Sequence, residues 1–456
     1  VKNPILSLYA FHLRQTFDDA PNTASQDAAT LWESLTEVGQ ILSFPELQSL
    51  KSQLISYSPD ERGNYQYNSQ QENDLKNEWL THHGDALELT PIPTSMGFKI
   101  KGTFQPFRLH DTYCADITLS PEIADLDIAP EQLSAFNPPV LIEKINANLG
   151  KVIVLHGEQN YWTKPKERDA EKWVNVLCAN THLNPRFVDE GELFNCPCFL
   201  FEAEDVTIII SLAKPKQLDL ERANANYDWL RDLFWSQKKV DSTYKEAQKC
   251  YQAARHLYST LEAKVQDFYV LLNENPEKRL DCLDALLKTI PKNLLQYNCY
   301  IRDLKAHRTT IATNLVNFNN RLKRLRESEN TFNAWLNYSN EKYPRHLAQI
   351  QTYIHYLEPG KDLFGNLINT IRATVEVEQA QREKELQNHL QSIGIGIAAG
   401  AIVASSSGLI VQPKTERIEI FRMSLHPFIW SLMLSAICAI GFWGIAEVWL
   451  GRKKNG

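Results

Sequence analysis

Residues 393–411 read IGIGIAAGAIVASSSGLIV, nineteen positions without a charged side chain. At about 1.5 Å per residue a helix over this stretch is about 28 Å long, close to the roughly 30 Å hydrocarbon layer of a bilayer. A second apolar stretch, 427–450 (PFIWSLMLSAICAIGFWGIAEVWL), carries only Glu447 as a charge. The two read as a transmembrane hairpin joined by a loop at 412–426, so a lipid bilayer is the first partner expected. Trp430, Trp443 and Trp449 fall toward the ends of the second stretch, and Arg452, Lys453 and Lys454 stop it, as interfacial aromatics and snorkelling cations do. Arg372, Arg382, Lys384, Arg452, Lys453 and Lys454 flank the outer ends of the pair, against Lys414, Arg417 and Arg422 in the loop. Positive charge is retained inside, which predicts both termini in the cytoplasm of an inner or plasma membrane and a basic cytoplasmic tail at 451–456.

Upstream of this hairpin the chain changes character. From 216 to 391 it is nearly free of glycine, and Pro276, Pro291, Pro344 and Pro359 are expected to punctuate a long helical stalk. Tyr244, Ala247, Tyr251, Ala254, Tyr258, Leu261, Val265, Phe268 and Leu272 recur at alternating steps of three and four, the seam of a helix packed lengthwise in a coiled coil. Leu294, Tyr297, Ile301, Leu304, Arg308, Ile311, Leu315, Phe318, Leu322 and Leu325 repeat the pattern, with Arg308 either snorkelling out or meeting a carboxylate. A third helix is expected over 332–357, then a break at Pro359–Gly360. The last helix would run from Asp362 into the first membrane span. Its seam is apolar at Phe364, Ile368, Ile371 and Val375 and turns polar at Glu378 and Arg382. That face is either a solvated surface or the lining of a wet axis shared by copies of the chain.

Residues 1–215 alternate strand and helix signals and predict an α+β head. Strands are expected within 1–16, and at 87–92, 98–107, 112–119, 151–156, 199–203 and 206–212, the last two joined by a hairpin at Glu204–Asp205. Helices are expected at 26–42, 45–55, 71–80 and 167–179, with a surface excursion near 58–69. The expected fold class is therefore an α+β cytosolic head, a long α-helical stalk and a C-terminal two-helix transmembrane hairpin.

Composition limits the chemistry. At 43% hydrophobic and 23% charged over 456 residues the chain has ample core and is not disordered. Mean hydropathy of -0.36 is too polar for many membrane crossings. A net charge of -7 supplies no broad basic field, so nucleic acid is not an expected partner. Eight thinly spread cysteines fit reduced, mostly buried thiols. No phosphate-cradling glycine loop, zinc spacing, paired histidines on a helix or nucleophile elbow is present, so the chain does not read as an enzyme, and no cofactor or metal site is expected. The densest polar cluster is Arg108, His110, Asp111 and Tyr113, with Asp116 further along; it is either a hairpin turn or a pocket for a small molecule or ion. Cys196-Pro197-Cys198 reads as ordinary strand packing without a second ligand pair, and His82-His83 diverge on any regular element.

Within the first span, Gly396 and Gly400 form a small-xxx-small element, and Gly394, Ala399, Ala404 and Ser405 also let backbones approach. Ser392, Gly396, Ala399, Gly400, Val403, Ser406 and Ser407 fall along one side at helical spacing and are the candidate pore-lining or packing residues.

The stretch LFGNLINTIRATVEVEQAQREKELQNHLQSIGIGIAAGAIVAS at 363–405, and the basic ending Leu450-Gly451-Arg452-Lys453-Lys454, resemble the stalk-to-span helix and terminus of the CorA-type divalent-cation transporter superfamily. The resemblance implies a homopentamer whose first spans surround a central pore beneath a funnel of heads. That family's Gly-Met-Asn tripeptide is replaced here by Ser405-Ser406-Ser407-Gly408-Leu409, so magnesium selection is not carried over. The loop mixes Lys414, Glu416, Arg417, Glu419 and Arg422 and forms no acidic cation collector. Members without the tripeptide are in some cases defence-associated membrane effectors. Two readings therefore stand: a gated homo-oligomeric channel or transporter, and a membrane-anchored coiled-coil scaffold or effector answering a cytosolic ligand.

Overall fold

The computed structural model describes all residues except 17–18, 21, 73–77, 160–163, 328–330, 411–417, 421–422, 426 and 453–456; at 277, 406–410, 418–420, 423–425, 427–428 and 450–452 it describes the backbone alone. Of the helix expected at 71–80, residues 73–77 lie outside the described residues. Ser69–Glu72 is a single 3-10 turn and Trp79 bridges Phe107 in extended form, so no α-helix forms over the described part. Most of the 412–426 loop and Lys453–Lys454 also lie outside the described residues. The chain comprises a mixed α/β N-terminal domain, long helices and one C-terminal apolar helix. It divides into two compact units, one of residues 1–255 and 299–358, the other of residues 256–298 and 359–456.

In the first unit the strands are β1 (Lys2–Leu13), β2 (Tyr57–Pro59), β3 (Tyr65–Tyr67), β4 (Leu87–Pro93), β5 (Lys99–Leu109), β6 (Thr112–Pro121), β7 (Gly150–Glu158), β8 (Arg186–Leu193), β9 (Cys196–Ala203) and β10 (Val206–Ala213). Eight of them form one sheet in the order β4-β5-β6-β1-β7-β10-β9-β8, antiparallel except where β10 runs parallel to β7. The helices are α1 (Thr30–Leu42), α2 (Pro45–Gln48), α3 (Leu50–Gln53), α4 (Pro138–Lys144), α5 (Glu167–Cys178) and α6 (Leu220–Ala225). Leu6, Leu8 and Ala10 alternate along β1 into a core with Leu31, Trp32 and Leu35 of α1 and Trp173 and Leu177 of α5. The helix expected over 45–55 is two four-residue helices, broken where Ser49 leaves the helical region. The excursion at 58–69 contains the small β2–β3 hairpin.

β8 was not expected. Its residues Asp189, Glu190 and Glu192 hide any apolar alternation, because it is an edge strand of the sheet. Its turn to β9 uses Phe194 and Asn195, both at positive φ (54° and 67°), in place of the Asn-Gly that marks such turns.

Three long helices follow: α7 (Tyr227–Leu271), α8 (Pro276–Arg326) and, after the short α9 (Asn333–Asn337), α10 (Tyr343–Ile410). Within the first unit, Phe234 of α7 packs on Tyr9 of the sheet at 5.4 Å between ring centroids. Ala247, Ala254, Leu304, Ile311 and Phe318 are buried as their seams require, and Arg308 is exposed. Tyr244 stacks on His346 at 3.6 Å, and Tyr251 on Tyr353 at 3.9 Å. Between α9 and α10 the chain makes a π turn, Tyr338–Lys342, closed by the Tyr343 N–H donating to the Tyr338 carbonyl. Pro344 has no N–H, and its ring would crowd the carbonyl of Asn340, so the wider turn relieves both problems.

In the second unit Leu261, Leu283, Ile290, Tyr297, Phe364 and Ile371 are buried. The break expected at Pro359–Gly360 does not occur: α10 passes through both residues. Gly360 is there for closeness, since a Cβ would stand 2.7 Å from Tyr258 Cε2 and 2.8 Å from the Tyr297 hydroxyl oxygen. Pro291 likewise lies inside α8, whereas Pro276 opens it. Glu378 is buried and paired with Arg279, so the polar turn of the last seam begins at an ion pair inside the unit. The pair β11 (Ile418–Ile420) and β12 (Met423–Leu425) precedes α11 (Pro427–Arg452).

Candidate functional site

The β5–β6 hairpin decides what becomes of the cluster at 108–113. His110 turns the chain at φ 54°, and Arg108 and Tyr113 become direct cross-strand partners on one face. Both reach Glu72, which is fully buried. The Tyr113 hydroxyl donates to Glu72 Oε1 at 2.6 Å, Arg14 Nε donates to Oε2 at 2.7 Å, and Arg108 Nη1 donates to the Glu72 carbonyl at 2.6 Å. Burial, then the Glu72 carboxylate, pushes the Tyr113 phenol well above its ordinary pKa. His110 and Asp111 go elsewhere: the imidazole stacks on Trp235 and the carboxylate accepts from Lys239 Nζ at 2.7 Å, both on α7. The four residues therefore do not converge. Glu72 and Arg14, which complete the buried half, carried no signal in the sequence, because their partners come from well-separated segments.

Asp116, on β6, is also buried and accepts from the Tyr227 hydroxyl at 2.5 Å and Thr118 Oγ1 at 3.3 Å. Burial raises its pKa to about 6, against the opposing effect of these two hydrogen bonds and Arg231. The folded-state value lies above the 3.8 of an ordinary aspartate, so the native state holds a proton that the unfolded chain has released. Stability attributable to this group is fully present below about pH 4 and declines as pH rises to about 6. The shift corresponds to roughly 3 kcal/mol. Asp116→Asn is expected to flatten that decline, measured as urea midpoints from pH 4 to pH 8 for both proteins.

A cleft of about 690 Å³ opens in the same unit, where the start of β7, the β9–β10 turn and the segment after α4 meet. Lys151 lines it, 8% exposed, and its ammonium donates to the Ile142 carbonyl. Desolvation lowers its pKa, against the pull of Asp205 and Glu143. His12 has its pKa lowered by burial, and its Nε2 lies 3.0 Å from the Asp27 carbonyl. At the mouth His182 Nδ1 is 2.6 Å from Glu143 Oε1, and its Nε2 is 3.6 Å from Glu204 Oε2. Gly150, at φ 119°, lets the backbone approach Asp205, whose carbonyl would lie 2.5 Å from a Cβ there. Cys196 and Cys198 are buried on β9, and His82 and His83 are exposed.

The apolar end of the second unit was the other candidate. α11 contains one helix segment long and apolar enough to cross a membrane among the described residues, Ile429–Trp449. Gly396 and Gly400 of α10 lie against it: a Cβ on Gly396 would stand 2.8 Å from the Ala439 carbonyl, and one on Gly400 would stand 2.9 Å from Ala439 Cβ. Ser435 Oγ donates to the Gly400 carbonyl at 2.7 Å. Ser392 is buried, Ala399 and Val403 are partly covered, and the side chains of Ser406 and Ser407 lie outside the described residues. Glu447 meets His389 of α10, with 3.5 Å between Oε1 and Nδ1. On the outer sides Ile397, Ile402, Leu432, Ile437, Ile440 and Ile445 are each more than 60% exposed.

No family model matches the chain. No curated protein matches it either. Among solved structures, the complete structure of the CorA magnesium transporter from Methanocaldococcus jannaschii aligns with 65% of this chain and 89% of that one, at 9% identity and a TM-score of 0.25. At that score the alignment transfers neither fold detail nor activity.

Proposed function

We propose that the chain is one subunit of a CorA-like homo-oligomeric membrane channel or transporter, crossing the bilayer twice and gated from its α/β domain. The observation that carries this reading is the outward surface of α10 and α11. The two helices close on each other through Gly396 and Gly400, yet among the described residues the isoleucine and leucine side chains on their outer sides stay exposed. Such a surface is stable in lipid or against copies of itself. Two helices from one chain cannot enclose a path, so conduction requires several copies. With Gly396 and Gly400 turned to α11, the exposed side of α10 bearing Gly394, Ala398, Ala401 and Ser405 faces the shared axis in this reading.

A second reading, a membrane-anchored scaffold or effector, draws on charge. Glu447 is the one carboxylate in either span, and its partner is His389. The axis then has no acidic ring to select cations. The experiment takes detergent-solubilised full-length protein, measures the mass of the assembly, and follows ion efflux from proteoliposomes. A multimer that conducts, with flux raised by Ala401→Asn, is expected. A monomer, or an intact multimer without flux under any salt tested, would overturn the channel reading.

A further inference from the structure

The cleft beside β7 joins a buried cation to a ring of acids, and the combination specifies a ligand. Lys151 is over nine-tenths buried, yet among the described residues its ammonium has one acceptor, the Ile142 carbonyl, for three donors. A buried ammonium that spends one donor of three is stabilised by any further acceptor that reaches it. The acids above it are partly committed. Asp27 accepts from Ser25 Oγ at 2.7 Å and Asn148 Nδ2 at 3.3 Å, and Glu143 accepts twice from His182. Asp205 uses its carbonyl, which accepts from Lys238 Nζ at 2.7 Å and from the Lys151 backbone N–H at 3.1 Å, while the charge of its carboxylate favours the Lys151 ammonium. Four carboxylates (Asp27, Glu143, Glu204 and Asp205) and two ammonium groups (Lys151 and Lys245) belong to the lining, so acids outnumber lysines by two.

A simple anion would meet that excess of acid and be repelled, and a simple cation would leave the Lys151 donors without an acceptor. The volume falls within the roughly 300–1,000 Å³ of small-molecule clefts. We infer that the cleft is a binding site for a small ligand with one carboxylate and more than one cationic nitrogen, the chemistry of a basic α-amino acid. The carboxylate sits on Lys151, and the ammonium or guanidinium groups face Asp205 and Glu204 at the rim. The site stands on the geometry of the first unit alone and goes beyond the membrane reading. Its failure would leave assembly and flux untouched, and their failure would leave binding untouched.

The test is isothermal titration of the detergent-solubilised full-length protein with L-arginine and L-lysine. Agmatine, which keeps the guanidinium and amine but lacks the carboxylate, is titrated into the same wild-type protein, so one comparison needs no variant. Saturable binding of arginine or lysine is expected, at least about tenfold tighter than agmatine. Lys151→Met, of similar length and without charge, is expected to weaken arginine binding about tenfold or more, and Asp205→Asn to weaken it while leaving the carboxylate preference in place. No saturable binding of either amino acid, agmatine bound as tightly as arginine, or an unchanged affinity in a folded Lys151→Met protein would each overturn the assignment.

Discussion

Glu72→Ala is expected to destabilise the α/β unit by about 3–5 kcal/mol, because it removes one side of a buried ion pair and leaves the other. Arg14 is as hidden as its partner, at 3% side-chain exposure, and donates from Nε into the carboxylate. The Tyr113 hydroxyl, 2.7 Å from that of Tyr67, would lose the acceptor at 2.6 Å. Urea unfolding followed by tryptophan fluorescence checks the prediction, since Trp32 lies 5.0 Å from Tyr113 between ring centroids. Two controls fix the cause. Glu72→Gln retains acceptors and should cost less than the alanine variant. Arg14→Met added to Glu72→Ala should recover part of the loss, because no unpaired charge is then buried. Equal losses in all three proteins would mean that packing, and not the charge, holds this corner.

Gly360→Ala and Gly365→Ala are expected to move stability in opposite directions, although both exchange glycine for the best helix former five residues apart in α10. At Gly365 nothing lies within 4 Å of the new methyl group. There the gain in helix propensity is about 1 kcal/mol. At Gly360 the same methyl group would press on Tyr258 and Tyr297, whose rings are held in turn against Phe364 at 5.3 and 5.9 Å between centroids. Overpacking of this kind costs about 1–3 kcal/mol, which exceeds the gain in propensity. Thermal unfolding of the two variants beside the parent decides it, and a stabilised Gly360→Ala protein would show that the tyrosines yield freely.

That pair of glycines also shows why some features were legible in the sequence and others were not. The seams through Ala247, Ala254, Ile311 and Phe318 were readable because a repeat of three and four is local, and the burial of these residues follows it. The strands at 112–119, 151–156 and 206–212 were readable for the same reason, each an apolar run bounded by polar turns. Pro359-Gly360 was misread because the reason for the glycine is a tyrosine from α7 and another from α8, and a helix can carry a proline when packing holds its flanks. The site residues divide likewise. Arg108 and Tyr113 were found as a polar cluster, but their common partner Glu72 could be assigned only once the hairpin set the register. Lys151 sat unnoticed in a strand, as one cation in an apolar run; its importance comes from the loops that surround its ammonium.

The division of the chain at 255, 298 and 358 has a practical bearing on how the protein can be dissected. Each of the three long helices belongs partly to one unit and partly to the other, so a single cut frees neither. A fragment ending at residue 358 would retain 256–298 as a helical hairpin stripped of Phe364, Ile368 and Ile371, with Leu261, Phe268 and Ile290 laid open to water. Such a fragment is a poor reagent for solution work, whereas excising 256–298 together with 359–456 and joining 255 to 299 through a short linker would keep the α/β unit whole.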